Sequence, residues 1–181
     1  LKKKIIIHRI GLDLSRYKIK KLDVNSKNFR ICCIGSLEEY KGADKVLESF
    51  NNFVLAGHRG KITFCGSGPM LNSLKIRSKE LGINNKVVFK GICSVDEVND
   101  VLKNSHLLVH ASPSIGDAVP TVIEEAAAMA RPVVATNVAG IPELVKNGKS
   151  GILVDPGNIE AMTSAMIYLN ENRSLCNKMG K

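Results

Sequence analysis

The acidic residues between Ser112 and Glu143 could do chemistry, because they lie along a loop, the helix that follows it and the turn after the next strand. They are Asp117, the adjacent pair Glu124 and Glu125, and Glu143 itself. An ionised carboxylate only accepts hydrogen bonds, so each could hold a donor group of a ligand in the mouth of the loop. The loop is rich in Ser, Pro and Gly, and the helical stretch after it ends at a proline.

The spacing around Thr121 assigns different tasks to the two adjacent glutamates. Thr121 is a good N-cap residue and Glu124 follows three positions later, which predicts a capping box at the start of the helix. Neighbouring helical residues point about 100° apart, so Glu124 and Glu125 cannot serve the same site. If Glu124 folds back on the cap, Glu125 is left to face the loop.

This stretch resembles the C-terminal, nucleotide-sugar-binding half of retaining GT-B glycosyltransferases of the group 1 or family-4 type. The matching positions are Asp117, Pro120, Glu125, Ala126, the run 132–136 and the run 139–143. The resemblance also covers residues 8–13, which are similar to the family's crossover into its donor domain. It implies a doubly wound donor domain that begins near a natural boundary, with the N-terminal acceptor domain absent.

The resemblance implies a catalytic set of Asp117, Glu125 and Lys41. Glu125 would accept hydrogen bonds from ribose hydroxyls, Asp117 from hydroxyls of the donor sugar, and Lys41 would hold the donor diphosphate. Asp117 departs from the family pattern, and so do two positions outside this set. Asp117 stands for a glutamate and Ala118 for a glycine, and Ser36 stands where the family places an arginine on the diphosphate.

Further donor-binding candidates follow the ends of predicted strands. Gly66 and Gly68 belong to a Gly-x-Gly-Pro loop, for which a conformational role and close approach to the nucleotide are equally open. The region of Gly91 and Ile92 borders the nucleobase in the family. Gly140 precedes a second helix start, where backbone N–H groups could meet a phosphate. The candidates within and around the acidic loop are Ser112, Pro120 and Thr121.

No motif for a metal or a redox cofactor accompanies these residues. The four histidines are scattered, no Asp-x-Asp or Cys-x-x-Cys is present, and the glycine loop is not the dinucleotide fingerprint. The resemblance implies transfer from a UDP- or GDP-sugar with retention and without metal, to a saccharide or lipid-linked acceptor held by the absent domain. On that basis we expect no cofactor besides the sugar donor.

Length and composition favour one globular domain with a single core. The chain has 181 residues, of which 44% are hydrophobic and 24% charged, and it carries five cysteines. It has no apolar run of about 18 residues that would span a membrane. The cysteines fall mostly in apolar runs, which favours buried free thiols in a reducing compartment. We therefore expect a cytoplasmic protein, and the start at Leu1 suggests a piece of a longer chain.

Strand-like and helical stretches alternate from residue 29 onward. Short apolar runs are predicted as strands at 30–35, 61–65, 86–89, 107–110, 132–136 and 151–154, with a further strand at 4–8. Helical patterns are predicted at 43–56, 70–81, 96–102, 121–130 and 159–169. This alternation predicts an α/β, Rossmann-like fold, a doubly wound parallel sheet with strands covered on both faces and the ligand at their carboxyl ends. Residues 1–28 would form a strand and a basic connecting segment before the domain at 29–181.

The net charge of +9 is concentrated in the first 27 residues, which carry +7. Aromatic residues are only 4% of the chain, which argues against nucleic-acid binding. Two interpretations of the basic segment stay open: a solvated connector, or a segment attracted to an anionic membrane surface at the inner face of the membrane. The alternative function is a nucleotide-binding module without turnover, which the departures at positions 36, 117 and 118 would explain.

Overall fold

The computed structural model of the chain describes residues 11–113 and 119–180. The strand predicted at 4–8, and the candidates Asp117 and Ala118, lie outside the described residues. The strands are β1 Phe29–Ile34, β2 Gly60–Cys65, β3 Val87–Gly91, β4 Leu107–His110, β5 Val133–Thr136 and β6 Gly151–Val154. The helices are α1 Ala43–Leu55, α2 Leu71–Glu80, α3 Val95–Asn104, α4 Thr121–Ala128, α5 Ile141–Leu144, α6 Ile159–Glu171 and α7 Arg173–Met179.

The six strands form one parallel sheet in the order β3-β2-β1-β4-β5-β6. This confirms the predicted doubly wound α/β fold. The chain leaves β1 toward β2 on one side and returns to place β4 on the other side. Strand order therefore reverses between β1 and β4, and in open parallel sheets the ligand crevice lies at the carboxyl ends of the strands beside such a reversal.

Hydrophobic side chains cover the two faces of the sheet in separate clusters. On one face, Phe50 and Phe53 of α1 pack with Met166 and Leu169 of α6, and all four are fully buried. On the other face, α3 and α4 contribute a second cluster around Leu102, Ile123 and Ala126. On α1, the helical spacing of Val46, Leu47, Phe50 and Phe53 matches the face that the helix buries.

The sequence predicts that helices cover both faces of every strand. For β2 and β3, at one edge of the sheet, this prediction is wrong. Alternate residues of β2 and β3 are open to solvent on the α3 face: Lys61 and Lys90 are exposed, and Val88 is 47% exposed. Because α3 packs against β1, it leaves this face of β2 and β3 bare. The path of a crossover helix is a tertiary property, which short apolar runs do not specify.

The basic segment before β1 is packed against the domain along the groove between α3 and α4. Leu22 is only 5% exposed. Arg131, fully buried beneath the segment, donates to the carbonyl of Lys20 at 2.6 Å and to the carbonyl of Leu102 at 2.9 Å. His106 Nε2 donates to the carbonyl of Asp23 at 2.9 Å. A solvated connector is therefore an incomplete description of residues 11–28.

The five cysteines are free, as the sequence predicts. Four are buried and Cys93 is half-buried. Burial raises the pKa of Cys32, Cys33 and Cys176 to about 12, so these thiols stay protonated at neutral pH. The helix α7 was not predicted, and in the structure its buried residues are Cys176 and Met179.

Candidate functional site

The loops after β1 and β4 meet at the reversal of strand order. Gly42, which ends the loop after β1, lies so close to the carbonyl of Ala111 that a Cβ there would sit 2.0 Å from the oxygen. Ser112 donates its hydroxyl to the carbonyl of Tyr40 at 3.0 Å, and Thr136 donates to the carbonyl of Ser112 at 2.7 Å. Ser112 is fully buried. Its observed contacts join loops, and a direct contact with the donor stays a prediction.

The loops after β1, β2 and β3 are joined through their backbones. Gly35 N–H donates to the carbonyl of Cys65 at 2.9 Å, and Gly66 N–H donates to that of Gly91 at 2.7 Å. A Cβ on Gly66 would meet the Gly35 carbonyl at 1.8 Å, and one on Gly68 would meet that of Leu37 at 2.6 Å. Close packing of the loops therefore explains both glycines of the Gly-x-Gly-Pro motif.

Ser36 and Lys41 lie in the loop that leads into α1. Ser36 is exposed two residues beyond the end of β1, and Lys41 is half-buried with its ammonium 5.3 Å from the centre of the Tyr40 ring. Gly42 then adopts a φ of 69°, which lets the chain turn sharply into a helix of 13 residues. The free N–H groups and the dipole at the start of α1 favour an anion beside Lys41.

The predicted capping box at Thr121 and Glu124 is wrong. Pro120 occupies the N-cap with a φ of −70°, its carbonyl accepts from Ile123 N–H, and no side chain caps the helix. Because the helix begins one residue earlier than predicted, the Thr121 hydroxyl is not aimed at the free N–H groups and is exposed. Glu124 Oε2 is buried, and among the described residues it has no hydrogen-bond partner.

Glu125 lies on the flank of α4, between its buried and its solvent faces. The buried face is formed by Val122, Ile123 and Ala126, and Glu125 points about 100° from the middle of that face. Burial, and then the charge of Glu124, raise the pKa of the Glu125 carboxyl. In the part of the chain that the structure describes, no side chain or backbone group donates a hydrogen bond to it.

Tyr17 is a neighbour of Glu125 that sequence reasoning missed. It comes from the basic segment and packs against the cluster beneath α4. Burial raises the pKa of the Tyr17 hydroxyl, and the charge of Glu125 adds to this effect. The two residues are 108 positions apart, and no local pattern connects them.

The other candidates lie after strands at the same edge. Gly91 ends β3 with a φ of 74°, and Ile92 beside it is 86% exposed. Gly140 directly precedes α5, a helix of a single turn whose dipole is correspondingly small. Ala139 before it adopts a φ of 51°, a conformation that favours glycine.

The described residues contain no group of three or more His, Cys, Asp and Glu side chains that could hold a metal ion. The expectation of a metal-free reaction stays a prediction. None of the helices described here is both long and apolar enough to cross a membrane.

Comparison with known proteins points to one family. Residues 16–181 match the family model described as "Glycosyl transferases group 1". An uncharacterized glycosyltransferase of Methanocaldococcus jannaschii is 29% identical over 143 residues, which is 79% of this chain and 36% of that protein. A putative colanic acid biosynthesis glycosyltransferase of Salmonella typhimurium is 27% identical and covers 90% of this chain and 41% of its own length. The chain thus spans less than half the length of these relatives.

Solved structures share the fold. HepE from Anabaena, crystallised with UDP-glucose, superposes with a TM-score of 0.83 at 22% identity, over 94% of this chain and 49% of that one. The C-terminal domain of a group 1 protein from Francisella tularensis superposes with a TM-score of 0.80 at 21% identity, over 94% of this chain and 93% of that domain.

Proposed function

This chain belongs to the group 1 glycosyltransferases, and we propose that it supplies the donor half of a GT-B enzyme, binding a nucleotide-sugar at the carboxyl edge of its sheet. The sugar passes to a saccharide or lipid-linked acceptor, with retention of configuration and without a metal ion. The acceptor is held by a second domain, since the relatives are more than twice as long as this chain.

The observation that carries the proposal is the state of Glu125. Its carboxylate is half-buried, has no hydrogen-bond donor among the described residues, and lies in the first turns of α4 beside the reversal of strand order. A partly desolvated carboxylate without a partner is costly for the ligand-free chain. Two adjacent ribose hydroxyls would supply the missing donors.

The loop that leads into α1 would stabilise the leaving group of the reaction, the nucleoside diphosphate. Lys41 and the free N–H groups at the start of α1 provide positive charge at one place. When the bond between the anomeric carbon and the diphosphate breaks, negative charge develops on the departing oxygen. Fixed donors aimed at that oxygen stabilise the transition state more than the ground state. Asp117 is assigned to hydroxyls of the donor sugar on the family resemblance alone.

Calorimetric titration with UDP, GDP and ADP, and with the matching nucleosides, tests donor binding. We expect the chain to bind one of the three nucleoside diphosphates in preference to the other two. Glu125→Ala should lower the affinity for that nucleotide tenfold to a hundredfold, because hydrogen bonds to a charged group contribute about 1.5–3 kcal/mol. Glu124→Ala is the matched control on the same helix and should change affinity little. If Glu124→Ala loses the nucleotide and Glu125→Ala does not, the assignment of Glu125 to the ribose is wrong.

Turnover is the second test. We propose that this chain alone binds donor but transfers little or no sugar, because a GT-B reaction centre lies between two domains. Measurable transfer to an acceptor by residues 1–181 would contradict the two-domain part of the proposal, while leaving donor binding intact.

A further inference from the structure

The bare face of β2 and β3 contains a cavity of about 300 Å³ whose walls include three basic side chains, Arg30, Lys61 and Lys90. Arg30 and Lys61 are the second residues of β1 and β2 and stand directly opposite each other in the strand register. Like charges in opposed positions destabilise a sheet. The fold therefore places the positive charges of Arg30 and Lys61 on the same cavity, where a bound anion would reduce their mutual repulsion.

This cavity continues around the amino end of the sheet. It shares Arg30, Asn104 and Ser105 with a second cavity of about 470 Å³, which in turn shares Lys20 and Lys21 with a third of about 420 Å³ beside α4 and α7. We call this continuous depression the basic groove. Its exposed and half-buried basic side chains are Lys20, Lys21, Arg30, Lys61, Lys90 and Lys103.

The positive charge of the groove is poorly compensated. Asp23 and Asp100 are the acidic residues in its walls. Within residues 11–113 and 119–180, none of the six basic side chains forms an ion pair. The Arg30 guanidinium donates to the carbonyl of Asn104 and the hydroxyl of Ser26, which are neutral acceptors.

Exposed apolar side chains accompany the lysines. Ile19 lines the groove and is 67% exposed, Leu14 on the same segment is also 67% exposed, and Val88 is 47% exposed. Lysines beside bulky exposed aliphatic groups suit the interface of a bilayer, where headgroup phosphates and acyl chains lie at adjacent depths. A surface for single-stranded nucleic acid would instead present aromatic side chains for stacking, and the groove has none.

We propose that the basic groove binds the surface of an anionic phospholipid bilayer, with headgroup phosphates between its six basic side chains and Ile19 at the acyl boundary. Most of the groove lies at the amino end of the sheet, opposite the candidate donor site. Bilayer contact and nucleotide binding therefore use largely separate surfaces, with Lys90 next to the donor-site candidate Gly91, and this proposal does not depend on the proposed function.

Co-sedimentation of the full chain with vesicles tests the proposal. We expect it to pellet with phosphatidylcholine–phosphatidylglycerol vesicles at least tenfold more strongly than with phosphatidylcholine alone, and to be released by high salt. Lys21→Glu/Lys61→Glu should lose at least tenfold in binding. The matched control is Lys146→Glu/Lys149→Glu, two exposed lysines near β6 with the same change of charge, which should bind far better than the groove variant. Thermal melts of each variant establish that it is folded.

Two further variants make the test decisive. Ile19→Ser should weaken vesicle binding severalfold and leave binding to heparin unchanged, because heparin has no acyl region. If heparin or single-stranded DNA binds more tightly than the vesicles and Ile19→Ser has no effect, the groove takes a soluble polyanion and the proposal is wrong. It is equally wrong if neutralising Lys2, Lys3 and Lys4 abolishes vesicle binding while the groove variant binds like the wild type.

Discussion

The hydroxyl of Ser112 lies 3.0 Å from the carbonyl oxygen of Tyr40 and donates a hydrogen bond to it. The carbonyl of Ser112 accepts a second bond, from Thr136 at 2.7 Å. One buried residue thus connects the loop after β4 to the loop that carries Lys41 and to the end of β5. The shape of the candidate donor site depends on this connection.

Replacing Ser112 by alanine should destabilise the chain. The Tyr40 carbonyl would lose a donor in a partly buried place, which costs about 1–3 kcal/mol at most. In a domain of this size each kcal/mol lowers the melting temperature by about 2–4 °C. Ser36→Ala, an exposed change from the same residue type, should stay within about 0.5 kcal/mol of the wild type. A Ser112→Ala chain with wild-type stability but no nucleotide binding would instead make Ser112 a direct ligand.

Arginine at position 36 should strengthen diphosphate binding. Ser36 is exposed at the end of β1, on the loop that leads to Lys41, so a guanidinium there could reach a diphosphate with two charge-assisted hydrogen bonds. We expect Ser36→Arg to bind the nucleoside diphosphate several times more tightly and the nucleoside unchanged. Equal gains for UDP and uridine, or for GDP and guanosine, would mean that position 36 does not face the phosphates.

The ligand-free chain should become more stable when Glu125 is replaced by glutamine. Burial and the neighbouring Glu124 raise the pKa of Glu125, so its ionised form is disfavoured in the folded state. A raised folded pKa means that stability is full at low pH and is lost as pH rises through that pKa. Glu125→Gln should therefore melt higher than the wild type at pH 7, and the difference should vanish in acid. A lower melting temperature at pH 7 would show that the ionised carboxylate has a partner.

Acid should destabilise the fold through His106 before it protonates most carboxylates. Burial lowers the pKa of His106 to about 4, and the nearby Arg30 charge acts in the same direction. The ring accepts from Arg30 N–H at Nδ1 and donates to Asp23 at Nε2, so it is neutral when folded. The unfolded chain binds a proton near pH 6.5, so stability is full above that value and falls as pH drops toward 4.

Urea unfolding at pH 7 and pH 5 measures this effect. We expect a loss of about 2 kcal/mol over that range, since each pH unit in the window changes the free energy of unfolding by about 1.4 kcal/mol. His106→Asn should be less stable at pH 7 and should lose most of this pH dependence. An unchanged slope in the variant would assign the acid sensitivity to other groups.

Glycine should be better than alanine at position 130. α4 ends in a Schellman motif, in which Arg131 N–H donates to the Ala126 carbonyl at 2.8 Å and Ala130 N–H to that of Ala127 at 2.9 Å. Ala130 holds a φ of 56°, which costs an L-residue about 1–2 kcal/mol. After the entropy of a flexible glycine is subtracted, Ala130→Gly should stabilise the chain by about 0.5–1 kcal/mol in urea unfolding.

The matched control is Ala127→Gly, an exposed position within the same helix. There the backbone is helical, so glycine should cost about 0.5–1 kcal/mol. If both variants are destabilised alike, the strain at residue 130 is absent in solution.

The order of elements could be predicted from the sequence because short apolar strands and amphipathic helices alternate clearly. Their local starts were harder to predict. Ser94 and Glu97 form the capping box that was assigned to Thr121 and Glu124, and both pairs have the same spacing. Pro120 makes the difference, because its fixed φ starts the helix one residue earlier.

Contacts between distant residues could not be predicted from one sequence. The packing of the basic segment rests on Arg131 and His106, each paired with residues more than 80 positions away. The bare face of β2 and β3 depends on where α3 crosses the sheet. The sequence was sufficient to predict that the candidate site residues lie at the carboxyl edge of the sheet. The contacts by which Ser112, Gly66 and Gly68 join neighbouring loops became visible only in the structure.

The packed glycines after β2 determine where laboratory evolution of this domain can succeed. Gly66 and Gly68 have no room for even one methyl group, so random substitution there would damage the loops rather than change which base they accommodate. Ser36 and Ile92 are exposed at the same edge and can vary without breaking a bond between loops. A small library restricted to those two positions would explore new donor nucleotides on an unaltered scaffold.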